Sequence, residues 1–273
     1  MPIARNRDVE LYYESTGAGA PVLLVMGLGM NATGWWRTVP VLVEANLRVI
    51  AFDNRGVGRS DRPPGPYSAA AMAEDALAVL DAAGAERAHL YGISLGGMIA
   101  QEVALTYPER VERLVLGATT PGGARAATPD EATLAFFRRR GEMPAEEAVW
   151  ASVPYNYAPR TRAEHGDRIA GDIAERLRYP IEPEPYVAQL AAGMGHDTYD
   201  RLPSIAAPTL VVHGAQDVMV PPANGRVLAD AIPGARLVEL PGAAHLYFTD
   251  DPGADRQVAA FLTASASDAP RPR

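Results

Sequence analysis

The chain has 273 residues, 48% hydrophobic and 21% charged, which suits a globular protein long enough for one large core or two small ones. A net charge of −8 with no basic stripe excludes a nucleic-acid partner, and the absence of Cys and Lys excludes disulfides, thiolate nucleophiles, Cys-ligated zinc and Schiff bases. No run approaches the roughly 18 apolar residues of a membrane span and no signal-like segment opens the chain, so a cytoplasmic protein is the default expectation.

In chain order, residues 9–13 are expected to form an antiparallel edge hairpin with those before them. Near-continuous apolar runs follow at 22–26, 48–52, 88–93, 114–116, 209–212 and 237–240. Runs without alternation suit central parallel strands, which are covered on both faces. The first run ends in Gly27 and Gly29, the second in Asp53. Residues 68–83 put Met72, Ala76, Val79, Leu80 and Ala83 on one helical face, with Ser68 able to cap the start and Gly84 the end. Strands alternating with helices predict an α/β fold with a mostly parallel central sheet and flanking helices.

Residues 120–203 break this pattern. They hold no strand-like run and carry three or four helix signals separated by Pro and Gly. Thr128-Pro129-Asp130-Glu131 has capping-box spacing with Pro at the first helical position, and Thr161 and Glu164 repeat that spacing. An inserted helical cap is expected here, between core segments 1–119 and 204–263. Residues 264–273 are small, polar and Pro-rich, and are expected to form a disordered tail.

The sharpest chemical signal is Gly92-Ile93-Ser94-Leu95-Gly96-Gly97, between a buried strand and an apolar helix. A strand turning abruptly into a helix leaves no room for side chains beside the central residue, a demand that Gly92 and Gly96 meet. Ser94 would then project its hydroxyl above the sheet, at a helix N-terminus that favours negative charge. The bland alternative is a Gly-rich turn without a role.

A serine nucleophile needs a base, and the base an orienting acid. Of five histidines, His245 lies in a loop past a late strand and is the candidate base. His89 and His213 read as strand residues with structural roles, and His165 and His196 as histidines of the helical insertion with no acid arranged around them. Asp217 follows the strand at 209–212, past the carboxyl end where open α/β sheets place their sites, and is the candidate acid. Asp53 is read as fixing its own turn. The oxyanion of a tetrahedral intermediate needs two N–H donors, expected from the backbone of Leu95 and of Leu28, the latter between Gly27 and Gly29.

Together with Asp53-Asn54-Arg55-Gly56-Val57-Gly58-Arg59-Ser60 and Tyr107-Pro108-Glu109-Arg110-Val111, these motifs resemble the α/β-hydrolase superfamily over residues 1 to about 263. The resemblance implies the α/β-hydrolase fold, a Ser94–Asp217–His245 triad in chain order and a helical cap roofing the site. Met26-Gly27 stands where this family commonly has His-Gly, so hydrogen bonding in that loop must differ. The Val-Met-Gly version is similar to methylesterases acting on aromatic polyketides such as aclacinomycin, and Gly92 to Met98 with Gln101 is similar to 3-oxoadipate enol-lactonases.

A serine at the elbow sets aside the aspartate-dependent epoxide hydrolases and dehalogenases of this superfamily. The expected activity is cleavage of an ester or lactone of a small-to-medium apolar substrate through an acyl-enzyme, without cofactor or metal. Alternatives are a carbon–carbon bond hydrolase, a cofactor-free perhydrolase, or a non-hydrolytic ligand-binding or biosynthetic protein on the same fold. Trp35, Trp150 and Leu246 are the candidate substrate contacts, although most aromatics here, including Trp36, Phe136, Phe137, Tyr155 and Tyr157, are expected to fill the cap–core interface. Residues 138–140, three consecutive Arg, read as a solvated helix end, the alternative being contact with a carboxylate. Oligomerisation stays open.

Overall fold

In a computed structural model, which describes residues 2–264, the chain begins with a hairpin of β1 (Ile3–Asn6) and β2 (Val9–Thr16). Next come β3 (Ala20–Val25), α1 (Thr38–Glu44), β4 (Leu47–Phe52), α2 (Ala69–Ala82), β5 (Ala88–Ile93), α3 (Leu95–Thr106) and β6 (Val111–Gly117). All the strands join one eight-stranded sheet in the order β1-β2-β4-β3-β5-β6-β7-β8, where β7 is Thr209–Gly214 and β8 is Arg236–Leu240. The hairpin is antiparallel and lies along one edge; every pair from β4 onward is parallel.

The uninterrupted apolar runs are explained by two cores, one on each face of the sheet. Along β3, Leu23 and Val25 face the core shared with α2 and α3, while Val22 and Leu24 face the one shared with α1 and with α12 (Ala254–Thr263). All four are fully buried, so neither face could carry a polar residue without losing on the order of 2–5 kcal/mol. Ser68 caps α2 as expected, its hydroxyl accepting from the Ala71 N–H at 3.1 Å, and Gly84 just past the helix takes a φ of +64°.

Strand register positions the site. Val25 pairs with Gly92, bringing the loop after β3 beside the turn after β5, and Gly214 pairs with Leu240, bringing the loops after β7 and β8 together. Further bonds from Ala215 N to Leu240 O and from Gln216 N to Ala243 O, both 2.9 Å, lock the second pair of loops.

Between β6 and β7 the chain is helical, with six helices rather than three or four: α4 (Glu131–Arg140), α5 (Ala145–Ala151), α6 (Val153–Asn156), α7 (Pro159–Glu164), α8 (Gly166–Leu177) and α9 (Pro183–Met194). Neither capping box forms as expected. Asp130, not Thr128, caps α4 by accepting from Thr133 N at 2.8 Å, because Pro129 sits one residue before the cap. Thr161 lies inside α7, since Pro159 with its preset φ starts that helix two residues earlier. Past β7 come α10 (Ala223–Ala231) and, after β8, α11 (Tyr247–Asp250). Among the described residues, no helix is long and apolar enough to cross a membrane. Of the tail expected at 264–273, residues 265–273 lie outside the described residues.

Candidate active site

Ser94 stands between β5 and α3 with φ 55° and ψ −122°, a region L-residues avoid. Sterics around it account for the glycines: a Cβ on Gly92 would lie 2.2 Å from Gly96 O, and one on Gly96 would lie 1.9 Å from Val25 O. The strained turn is held by hydrogen bonds from Ser94 N to Gly117 O (2.8 Å) and from the Thr119 hydroxyl to Ser94 O (2.7 Å). Gly27 packs directly against it, since a Cβ there would sit 3.1 Å from Ser94 Cβ.

Asp217 and His245 meet. His245 Nδ1 lies 2.8 Å from Asp217 Oδ2, and both side chains are almost fully buried. The other carboxylate oxygen accepts from Met219 N at 2.8 Å and Val220 N at 2.9 Å. Burial alone would raise the Asp217 carboxyl, but His245 and His213 outweigh it and hold it at about 2. An ionised Asp217 can only accept, so His245 Nδ1 is the donor in this contact. The imidazole is steadied by its own loop, where Ala244 N donates to Asp250 Oδ2 (2.7 Å) and Leu246 N to Asn156 O (2.9 Å).

The Ser94 hydroxyl and the His245 ring line one cavity of about 230 Å³ without being hydrogen-bonded to each other. Asp217 and His245 are thus paired, and Ser94 shares their cavity without bonding to the imidazole. Such contacts often close only around substrate.

Leu95 opens α3, and Leu28 lies in the loop after β3; neither N–H donates a hydrogen bond among the described residues. Both residues line the cavity beside Ser94, as does Leu246. The loop is shaped by Asn54 Nδ2, which donates to Met26 O at 2.9 Å, and by the Gly29 N–H, which donates to Gln189 Oε1 at 2.9 Å. Asp53 does more than fix its own turn: it accepts from Ala32 N (2.8 Å), Arg59 N and Arg59 Nε (both 2.9 Å), tying two loops together.

Two substrate-contact expectations fail. Trp35 is fully buried in the second core, its ring 4.9 Å from Tyr91 and 5.6 Å from Phe248, because the turn carrying it packs against the sheet. Trp150 is 52% exposed on the outer side of α5 and does not line the cavity. Residues 138–140 are not uniformly solvated either. Arg138 and Arg139 are exposed, but Arg140 is 5% exposed and lines the cavity, since one further step around α4 turns it inward.

Other residues shape the site through contacts that gave no signal in sequence. His213 Nε2 is 2.9 Å from Val220 O and 3.4 Å from Asp217 Oδ2, making it a brace for the acid. His196 does have an acid nearby, Glu102 at 3.8 Å, and burial lowers its pKa to about 4. Asn156, Arg176 and Gln189 reach the cavity from the insertion, and only the folding of α6, α8 and α9 over the sheet brings them there.

The chain belongs to the alpha/beta hydrolase fold family, which it matches over residues 20–252. It is 36% identical over 255 residues to a protein of Azorhizobium caulinodans named as a carbamate hydrolase, RutD, covering 90% of this chain and 92% of that one. Among solved structures it is similar to the enol-lactonase of Burkholderia xenovorans LB400, with a TM-score of 0.86, 28% identity and coverage of 96% and 100%. A protein of Mycobacterium tuberculosis H37Rv named as a non-heme bromoperoxidase, BpoC, superposes with a TM-score of 0.79 at 31% identity, covering 92% and 94%.

Proposed function

We propose that the protein is a serine hydrolase that cleaves a small ester or lactone through an acyl-enzyme, with Ser94 as nucleophile, His245 as base and Asp217 as the orienting acid. The observation that carries this reading is the 2.8 Å contact between His245 and an ionised Asp217, on the rim of the cavity into which the elbow serine opens. Ser94 Oγ attacks the acyl carbon as its proton passes to His245 Nε2. The oxyanion is met by the Leu28 and Leu95 N–H groups, the alcohol leaves with the proton from His245, and water attacks the acyl-enzyme by the same route in reverse. Residues 120–203 act as the cap over the core, a role supported by the cavity being walled by both parts of the chain.

Replacing Ser94 by Ala is expected to lower turnover of a p-nitrophenyl ester by roughly 10⁴-fold or more. Wild-type rates in that variant would reject the assignment. A second reading is supported by the likeness to BpoC: hydrogen peroxide in place of water would attack the same acyl-enzyme, releasing a peracid that oxidises bromide. Bromination that needs both a carboxylic acid and Ser94 would establish it.

A further inference from the structure

Two arginines in the cavity wall lack a carboxylate partner. Arg140 at the end of α4 and Arg176 on α8 are each 5% exposed, and both line the cavity that holds Ser94 and His245. Among the described residues Arg140 has no carboxylate partner, and its Nε is buried without a hydrogen-bond partner. Its guanidinium lies over the Tyr186 ring at 4.9 Å, and a Cβ on Gly29 would lie 3.2 Å from its Nη2. Arg176 makes one hydrogen bond, from Nη1 to the Ser152 hydroxyl at 3.1 Å, and its Nε too is orphaned. The carboxylate one helical turn away, Asp172, is occupied by Trp36 Nε1, Arg37 Nε and Thr249 Oγ1.

Buried arginines are almost always paired, because an uncompensated guanidinium loses its hydration and gains nothing in return. Both line the same cavity, and burial first, with repulsion from Arg176 adding to it, lowers the Arg140 pKa to about 10. Arg140 therefore stays cationic at neutral pH. A pair of unpaired cations beside a nucleophile is a cost without structural return unless an anion enters with the substrate.

We propose that Arg140 and Arg176 form a carboxylate subsite, so that the preferred substrate is an ester or lactone bearing a free carboxylate a few atoms from the scissile acyl group. The location rests on the reading of Ser94 above, since Gly29 beside Arg140 belongs to the loop that supplies the Leu28 amide. A planar guanidinium presents parallel N–H groups to both carboxylate oxygens, and two guanidiniums satisfy the four lone-pair directions that one carboxylate offers. This revises the expectation of a purely apolar substrate.

The test compares mono-p-nitrophenyl adipate, whose chain is too long for ready self-attack, with neutral p-nitrophenyl heptanoate. In the wild type the ratio of kcat/KM for acid over neutral ester is expected to exceed one, and to fall about 10–100-fold in Arg140→Gln or Arg176→Gln. A wild-type ratio below one, or a ratio untouched by both substitutions, overturns the subsite. Adipate is also expected to raise the Tm of Ser94→Ala, and not that of Ser94→Ala/Arg140→Gln. That binding arm stands even if Ser94 proves not to be the nucleophile, and equal shifts in both proteins would count against the subsite. Arg140→Met supplies a third readout. Removal of an unpaired buried charge should leave the ligand-free Tm equal or higher, whereas a marked fall would show that Arg140 is structural.

Discussion

Ser94 concentrates backbone strain at a single residue. Its φ of 55° costs a non-glycine residue about 1–3 kcal/mol, held in place by the Gly117 and Thr119 bonds. Ser94→Ala keeps that strain, whereas Ser94→Gly relieves it at an entropic cost of about 0.5–1 kcal/mol. Ser94→Gly is therefore expected to unfold at a higher temperature than Ser94→Ala by the equivalent of about 1 kcal/mol, both being inactive. Thermal denaturation of the pair decides it, and a less stable glycine variant would mean the turn is not strained. The elbow was legible because its steric requirement lies within five consecutive residues. His213 was not: its contact with Asp217 depends on how the loop after β7 curls back, which no local spacing encodes.

Between elements, a buried polar cluster links three of them to α11. Thr38 at the start of α1 donates to Asp255 of α12 at 2.7 Å, and Tyr91 of β5 reaches both Asp255 (3.3 Å) and the Tyr247 hydroxyl (2.8 Å). Burial raises the Asp255 carboxyl to about 6, although bonds from Thr38 and Tyr91 lower it in part. Below about pH 3 the group is protonated in both the folded and unfolded chain, so it contributes no pH dependence there. As pH rises toward 6 the unfolded chain releases a proton that the folded one retains, and stability falls by on the order of 2 kcal/mol before levelling off. Asp255→Asn is expected to flatten this fall and to raise the Tm above pH 7. A wild-type Tm that climbs from pH 4 to 6, with the variant following it in parallel, would contradict this sign.

Across the molecule, the helical insertion is fastened to the core at the loops that line the cavity. Gln189 of α9 accepts from Gly29 N at 2.9 Å and donates to Arg55 O at 2.8 Å, bridging the loops after β3 and β4. Asn156 O takes the Leu246 N–H next to His245. Gln189→Ala leaves two half-buried backbone groups without partners and loosens the loop that carries the Leu28 amide. It is expected to lower kcat roughly 10-fold with a smaller change in KM, a positioning effect weaker than loss of an oxyanion donor. A change confined to KM would instead make Gln189 a substrate contact.

Residue type and spacing alone determined the βα alternation, the elbow, the order of serine, aspartate and histidine, and the break at residue 120, because each expresses a short-range demand: burial on both faces of a strand, crowding at a turn, helix periodicity. Tertiary structure decided the rest. Trp35 went into the core and Trp150 toward solvent, while the helical arrangement of the insertion brought Arg140 and Arg176 into the wall of the cavity that holds Ser94. Those outcomes depend on how α4 to α9 settle on the sheet, where packing over long sequence separations fixes which face of each helix points inward.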